Sequence, residues 1–239
     1  MRARATFASL SLSAVLACDS STEPRAAYST IVRADGPLAY WRFEETAGVT
    51  ANDSSGNGRN GEYTTDATQG ASAGTARLGN AVLLQTTSDG VVSDSSAWSN
   101  VATVSAEAWI HADSVTSPEG RIIIDKGEVW NLGIDPQGRP TFHLVLGNVW
   151  VSAPDSVQAG RTYHLVGTFE NRRAKLYVNG QLARDSTTSF ALDTRDQPVH
   201  VGTGLSPVRF EFYGVIDEVA IYDKVLSADA VLRHYNAGR

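Results

Sequence analysis

The sequence constrains the fold most through short apolar runs that Gly, Asn, Asp or Pro interrupt every few residues. Within residues 104–110, 130–134 and 163–169, apolar side chains alternate with polar or small ones. A period of two is typical of antiparallel strands that bury one face and expose the other. Many short strands separated by turn residues indicate an all-β sandwich or barrel. We therefore predict one all-β domain built from half-buried strands.

Two turn sequences support this prediction. Asn179 and Gly180 separate two apolar runs, and both tolerate the positive φ angles that a type I′ hairpin turn requires. Residues 135–138 (Asp-Pro-Gln-Gly) suit a type I turn, with proline at the second position and glycine at the fourth. We predict a β-hairpin at the first site and a tight strand connection at the second.

The end of the chain predicts one short helix. Ser227 is suited to the N-cap, and Asp229 would lie in the first turn, where the helix dipole favours a carboxylate. Val231, Leu232 and Tyr235 then form an apolar stripe. The spacing predicts a C-terminal helix of about two turns.

The N-terminus predicts export. Residues 1–17 join two arginines to an apolar stretch too short to span a bilayer, which is typical of a signal peptide. Residues 15–18 (Val-Leu-Ala-Cys) resemble the bacterial lipobox, which implies cleavage before Cys18 and its acylation; an ordinary signal peptide is the alternative. Residues 18–34 then form the lipidated cysteine and a polar tether, and residues 35–239 form the domain. The protein would be anchored to the bacterial cell envelope, on its periplasmic side or its surface.

The composition excludes several classes of partner and site. The formal net charge is −6, which becomes −8 once the signal peptide and its two arginines are removed. Nucleic-acid binding depends on neutralising phosphates with Lys and Arg, so we predict no nucleic-acid partner, and membrane contact through the lipid anchor only. Cys18 is the single cysteine, so the chain has no intramolecular disulfide. The five histidines show no paired ligand spacing, which argues against a transition metal.

Five segments in order resemble a known family. They are residues 38–45 (LAYWRFEE), 53–58 (DSSGNG), 106–110 (AEAWI), 175–180 (KLYVNG) and 214–222 (GVIDEVAIY). This order is similar to that of the laminin G-like (concanavalin A-like lectin/glucanase) family of bacterial extracellular modules, from about residue 37 to 237. The resemblance implies a jelly-roll sandwich of two antiparallel sheets. It also implies a choice of functions, because the family includes glycan-binding, protein-adhesion and spacer modules.

The same resemblance implies a structural calcium ion. Family members often hold Ca²⁺ between the loop at residues 53–58 and the aspartate of the Ile-Asp-Glu-Val segment. The corresponding ligands here are Asp53, Asn57 and Asp217, with Glu44 and Asn52 as weaker candidates. Oxygen ligands of these types suit calcium. The alternative is that Asp53 and Asn57 hydrogen-bond to their own backbone as turn formers.

The sequence predicts no catalytic site. Glucanases of this fold need two carboxylates that point to one face of a cleft, and no run of the Glu-x-Asp-x-Glu type is present. Asp217 and Glu218 are adjacent, so in a regular strand they face opposite sides. The one Gly-x-Ser-x-Gly string, at residues 70–74, is not followed by a helical pattern, and a nucleophile elbow joins a strand to a helix.

Two tryptophans are candidates for ligand binding, because sugars stack on exposed aromatic rings. Trp41, Trp109 and Trp130 lie in alternating strands, and we assign them to the core. Trp98 lies in a polar stretch and Trp150 near a hairpin end, so these two are the candidates. The alternative is that each covers an edge of the sandwich.

We therefore expect a non-catalytic, envelope-anchored binding module, with carbohydrate as the first candidate ligand. A protein-adhesion or envelope-scaffold module without a small-ligand site is the alternative. A glycoside hydrolase with an atypical site is the third possibility. An exposed tryptophan in a groove would favour the first, and converging carboxylates would favour the third.

Overall fold

The computed structural model describes residues 27–75, 77–86, 90–93, 101–204 and 210–239. Helix α1 (Tyr28–Ala34) opens the described part of the chain and helix α2 (Ala228–Gly238) ends it. Neither is long and apolar enough to cross a membrane, and no other described helix is. The strands between them are β1 (Ala39–Trp41), β2 (Thr50–Ala51), β3 (Gly61–Tyr63), β4 (Thr68–Ser72), β5 (Asn80–Leu84), β6 (Val91–Ser93), β7 (Val104–Ala112), β8 (Arg121–Asp125), β9 (Trp130–Ile134), β10 (Pro140–Leu144), β11 (Val149–Ser152), β12 (Thr162–Glu170), β13 (Arg173–Val178), β14 (Gln181–Thr187), β15 (His200–Val201) and β16 (Gly214–Tyr222).

Within the described residues, these strands form two antiparallel sheets of eight. Sheet A has the order β14-β13-β12-β7-β16-β5-β4, with β1 also paired to β16. Sheet B has the order β11-β10-β9-β8-β15-β6-β3-β2. Many neighbours in each sheet are distant in sequence, as in a jelly roll. The predicted sandwich of two antiparallel sheets is confirmed.

The main core lies between the two sheets. Trp130 and Phe142 pack against each other there with ring centroids 5.9 Å apart, and Trp41 and Phe169 are also fully buried. Burial of apolar surface at roughly 25 cal/mol per Å² is the main stabilising contribution of such a core. The assignment of Trp41 and Trp130 to the core is confirmed.

A second core covers the outer face of sheet A. Both helices pack there, and Tyr28 and Val32 of α1 join Val231 of α2 and Trp109 of β7 in one buried cluster. Trp109 stacks on Tyr235 with centroids 5.8 Å apart. Every residue of β7 except His111 is therefore buried, and the prediction of half-buried strands is wrong for this strand because helices cover its second face.

Both ends of the domain differ from the prediction. Helix α1 lies within the segment assigned to a tether, and its packed residues Tyr28 and Val32 place the start of the folded domain at or before residue 28 rather than at 35. Helix α2 has 11 residues, about three turns rather than two. Its predicted N-cap is confirmed, because the Ser227 hydroxyl accepts the Ala230 N–H at 3.1 Å.

The two turns are confirmed. Asn179 and Gly180 adopt φ angles of 51° and 78° between β13 and β14. Between β9 and β10, the Gly138 N–H donates to the Asp135 carbonyl at 2.8 Å. This second turn borders the outer face of sheet B, which neither helix covers.

Candidate functional site

One continuous row of cross-strand partners crosses the outer face of sheet B. Directly opposite residues in antiparallel strands point to the same side of the sheet. Starting from β11, the row contains Trp150, His143, Asn131, Asp125, His200, Val92, Glu62 and Thr50. The first four positions combine an aromatic surface with polar side chains, and all four line one groove of about 720 Å³.

The groove exists because the next row on this face is made of small residues. Ser152, Thr141 and Gly133 are cross-strand partners two positions along β11, β10 and β9. Gly133 has no room for a side chain, since a Cβ there would collide with the main-chain oxygen of Arg121. Because these side chains are shorter than Trp150 and its neighbours in the adjacent row, a groove runs across the strands.

The turn between β9 and β10 forms the opposite wall. The Asp135 carboxylate accepts the main-chain N–H groups of Gln137 and Arg139 at 3.0 and 2.9 Å. It also accepts the Arg139 Nε–H at 2.8 Å. Asp135 is buried, so this carboxylate fixes the turn and holds the Arg139 guanidinium against the wall.

Trp150 is the exposed aromatic surface of the groove, with 43% of its area accessible. One face of its indole stacks on the His143 ring, with centroids 3.9 Å apart and planes at 15°. Its Nε1–H donates to Asn148 Oδ1 at 2.9 Å. The indole is thus fixed in orientation, and the face that His143 does not cover remains available to a ligand.

Hydrogen bonds also fix His143. Since Asn148 Oδ1 accepts the indole N–H, it acts as an acceptor toward His143 Nε2, 3.2 Å away. His143 Nδ1 lies 3.3 Å from the Asn131 amide nitrogen, which donates to it. Burial lowers the pKa of His143, so the ring is neutral at pH 7 and supports Trp150 as an uncharged partner.

Asp125 and Asp135, two carboxylates of the groove, are too far apart to form the pair that a glycosidase needs. Asp125 lies opposite Asn131 on the neighbouring strand. Asp135 is four residues after Asn131, so its main chain lies roughly 13 Å from that of Asp125 along the strand direction. Retaining enzymes place their carboxyl groups about 5 Å apart and inverting enzymes about 6.5–9.5 Å apart. Glu128 is paired with Arg195 at 2.6 Å. Asp217 and Glu218 are fully buried and do not line the groove.

The structure describes one of the two tryptophans predicted to bind a ligand. Trp150 lies in the groove, whereas Trp98 is outside the described residues, as is Cys18, so the lipid anchor stays a prediction. The sequence analysis missed His143, Asn131 and Asp125. The sequence shows that these residues alternate with core residues. It does not show the register between strands, which places them beside Trp150.

Asp53 and Asn57 act as turn formers. The Asp53 carboxylate accepts the N–H groups of Tyr40, Ser55 and Arg59 at 2.8–2.9 Å, and also the Ser55 hydroxyl. The Asn57 amide nitrogen donates to the main-chain oxygens of residues 37 and 38 at 3.1 and 3.0 Å. Four donors already hold the Asp53 oxygens, so this arrangement does not fit a shared calcium site with Asp217.

Asp217 is in a different situation. It is fully buried, its Oδ1 accepts the Glu218 N–H at 2.8 Å, and its Oδ2 has no hydrogen-bond partner among the described residues. Burial raises its pKa well above the usual range, and the nearby Glu44 carboxylate raises it further. Glu44 is paired with Arg42, whose Nη2 lies 2.5 Å from Glu44 Oε1. The unpartnered buried oxygen of Asp217 is therefore the one that fits a cation. The described residues contain no cluster of three or more His, Cys, Asp or Glu that could hold a metal, so further ligands would be amide or main-chain oxygens.

Comparison with known families is decisive for the fold. The family model of the concanavalin A-like lectin/glucanases superfamily matches residues 85–232. The chain belongs to this superfamily. The matched segment contains the strands β8 to β11, which line the groove. A comparison with curated protein sequences gave no match.

Solved structures with the same fold include carbohydrate-binding domains. Domain 4 of AbnA, an extracellular GH43 arabinanase from Geobacillus stearothermophilus, in complex with arabinotriose, has a TM-score of 0.65 and 20% identity over 83% of this chain and 98% of that chain. The ligand-binding domain of botulinum neurotoxin serotype D in complex with N-acetylneuraminic acid has a TM-score of 0.66 and 17% identity, over 87% of this chain and 52% of that one. A Trypanosoma rangeli sialidase has a TM-score of 0.61 and 14% identity, over 82% and 32%. At sequence identities of 14–20%, this structural similarity shows a shared fold and nothing more.

Proposed function

We propose that this superfamily member is a non-catalytic module that binds carbohydrate in the groove on sheet B. The observation that carries the proposal is the fixed, exposed indole of Trp150 at the head of a row of polar side chains. Small-ligand sites combine apolar walls with a few positioned polar groups. A sugar has one apolar C–H face, which packs on the indole, and hydroxyl groups, which hydrogen-bond to polar side chains of the groove such as Asn131.

The structural neighbours support this ligand class. One neighbour is a domain in complex with arabinotriose, and another is a domain in complex with N-acetylneuraminic acid. Neighbours also include a sialidase, so the fold by itself does not separate binding from hydrolysis. The proposal of a non-catalytic module is supported instead by the burial of Asp125 and by the arginines that hold Asp135 and Glu128.

Replacement of Trp150 by alanine is expected to weaken glycan binding at least tenfold, about 1.4 kcal/mol, because it removes the stacking surface. The measurement is a glycan array with purified residues 19–239, followed by calorimetric titration of the tightest-binding glycan. The change should lower thermal stability only slightly, because the indole is partly exposed and loses one stacking contact and one hydrogen bond.

Leu182→Ala is the matched control for this experiment. Leu182 is also an exposed apolar side chain, at 51%, but it lies on β14 in sheet A. It should leave glycan affinity unchanged. Equal binding by the Trp150→Ala variant and the wild type would contradict the proposed site. No binding of any glycan by the folded protein would contradict the proposed function and favour a protein-adhesion module.

We further propose that the structural calcium that the family resemblance implies has Asp217 as a ligand, and that Asp53 and Asn57 act as turn formers. The support is the unpartnered buried Oδ2 of Asp217. A bound Ca²⁺ would neutralise this carboxylate and stabilise the fold.

Addition of Ca²⁺ is therefore expected to raise the melting temperature of the wild-type protein relative to a chelator. In calorimetry, Asp217→Asn should abolish this rise. Asp53→Asn should keep the rise, although it weakens a turn with four hydrogen bonds to the carboxylate. A wild-type protein indifferent to Ca²⁺, or loss of the response in Asp53→Asn alone, would refute this assignment.

A further inference from the structure

A second aromatic side chain lies at the end of the groove opposite to Trp150. Phe210 lines the groove and is half-buried. Its main-chain oxygen accepts the Ile122 N–H of β8 at 2.7 Å. At this position β9 pairs with the other edge of β8, so Phe210 lies one strand position beyond β8. Four inter-strand spacings, about 19 Å in total, therefore separate the main chains of Phe210 and Trp150.

Gly204 leaves space at this end of the groove. A Cβ at position 204 would lie 2.8 Å from Ile122 Cδ1 and 4.0 Å from Phe210 Cδ2, inside the groove that all three residues line. Because glycine has no side chain, the space beside the Phe210 ring stays open to a ligand. An aromatic ring offers a flat apolar surface of the kind on which the C–H face of a sugar packs.

Side-chain amides lie between the two aromatic rings. Asn131 projects from β9 and Gln137 from the turn between β9 and β10, and both line the groove with part of their surface exposed. An amide offers N–H donors and a carbonyl acceptor, which match the hydroxyl groups of a sugar. The groove thus has a polar middle between two aromatic ends, and this arrangement suits a chain of linked sugars better than a single sugar.

We propose that Phe210 is a second sugar-stacking surface, and that the groove binds a segment of a linear glycan with one ring on Trp150 and another on Phe210. This inference rests on the proposed function, because it names the length of the ligand and a second contact in the same groove. One residue of an extended glycan is about as long as one strand spacing, so the separation corresponds to about four sugar residues. Among the described strands, β11 is the edge of sheet B, so a longer chain can continue past Trp150.

The test is a calorimetric titration with a length series of the tightest-binding linear glycan on the array, from the monosaccharide to the hexasaccharide. Affinity should rise at least tenfold between the disaccharide and the tetrasaccharide, because only a chain of about four residues reaches both rings. Longer members should gain little more. A hexasaccharide that binds no more tightly than the disaccharide would overturn the inference.

Variants show whether Phe210 causes this dependence on length. Phe210→Leu keeps an apolar side chain beside Ile122 but removes the flat ring. It should weaken hexasaccharide binding at least tenfold and leave disaccharide binding unchanged, since the disaccharide occupies Trp150, the more exposed of the two rings. Phe210→Tyr keeps a flat ring and should keep the affinity for both ligands.

Tyr163→Leu is the matched control, because it removes a half-buried ring from β12 in sheet A, away from the groove. It should leave the affinity for every length unchanged. Hexasaccharide binding that is as tight in Phe210→Leu as in the wild type, but weak in Trp150→Ala, would overturn the inference and leave the proposed function intact. Absence of all glycan binding by the folded wild type would overturn both.

Discussion

Replacement of Glu107 by alanine is expected to destabilise the domain by about 3–5 kcal/mol, because it removes one of the two carboxylates that pair with the buried His234 cation. Glu107 is fully buried in β7, where its carboxylate contacts both His164 and His234. His234 Nδ1 lies 2.9 Å from Glu107 Oε2, and His234 Nε2 lies 2.9 Å from Asp35 Oδ2. Each ring nitrogen faces a carboxylate, so both donate and the ring is an imidazolium.

This cluster joins three parts of the domain. Asp35 caps the C-terminal end of α1, His234 lies in α2, and Glu107 lies in the central strand of sheet A. The Tyr222 hydroxyl adds a further hydrogen bond to Glu107 at 2.5 Å. Loss of the Glu107 carboxylate therefore weakens the attachment of both helices to sheet A.

Urea unfolding at pH 7 measures this prediction. Asp185→Ala is the control, because it also removes one carboxylate from an ion pair. Asp185 lies on the exposed edge strand β14, and its partner is Arg173 at 2.6 Å. Exposed pairs contribute little, so this variant should unfold close to the wild-type midpoint. A Glu107→Ala variant no less stable than Asp185→Ala would show that the buried cluster does not stabilise the fold.

The second large effect is a loss of stability in mildly alkaline solution. Burial lowers the pKa of His234, but Glu107 and Asp35 outweigh it and raise the pKa to about 9, from 6.5 in the unfolded chain. A folded-state pKa above the unfolded value stabilises the protein fully below pH 6.5, and this contribution is lost as the pH rises to 9. A difference of this size corresponds to about 3 kcal/mol.

The measurement is the difference in free energy of unfolding between the wild type and His234→Gln at pH 6, 7.5 and 9. This difference isolates His234 from Glu218, whose pKa burial raises to about 9 and whose ionisation adds its own pH dependence. The wild type should be the more stable protein at pH 6, and the gap should shrink by pH 9. A gap that stays constant across this range would mean that His234 does not carry the proton.

Local sequence signals predicted much of the fold. Alternation located the strands, the Asn179-Gly180 pair located a hairpin, and Ser227 located the start of α2. Helix α1 was missed because it is only seven residues long and has no side-chain cap. Its stability comes from packing of Tyr28 and Val32 against sheet A, and a local pattern does not encode that contact.

The site was predicted less completely, for two physical reasons. Trp150 could be selected because a large aromatic near a hairpin end has a high chance of exposure, but its partners depend on the register of four strands. The sequence left two roles open for Asp53, because a turn-forming aspartate and a metal-binding one have the same sequence context. The four donors around its carboxylate favour the turn-forming role.

The central claim is that a glycan binds against Trp150, and an NMR titration of the tryptophan indole N–H signals tests it most directly. Trp41, Trp109 and Trp130 are buried, whereas Trp150 is exposed in the groove. Comparison with a Trp150→Phe variant assigns the Trp150 signal. With arabinotriose or the tightest-binding glycan of the array as titrant, the Trp150 signal should shift and saturate while the three buried indoles stay unchanged. Saturable binding that leaves the Trp150 signal unmoved would contradict the claim.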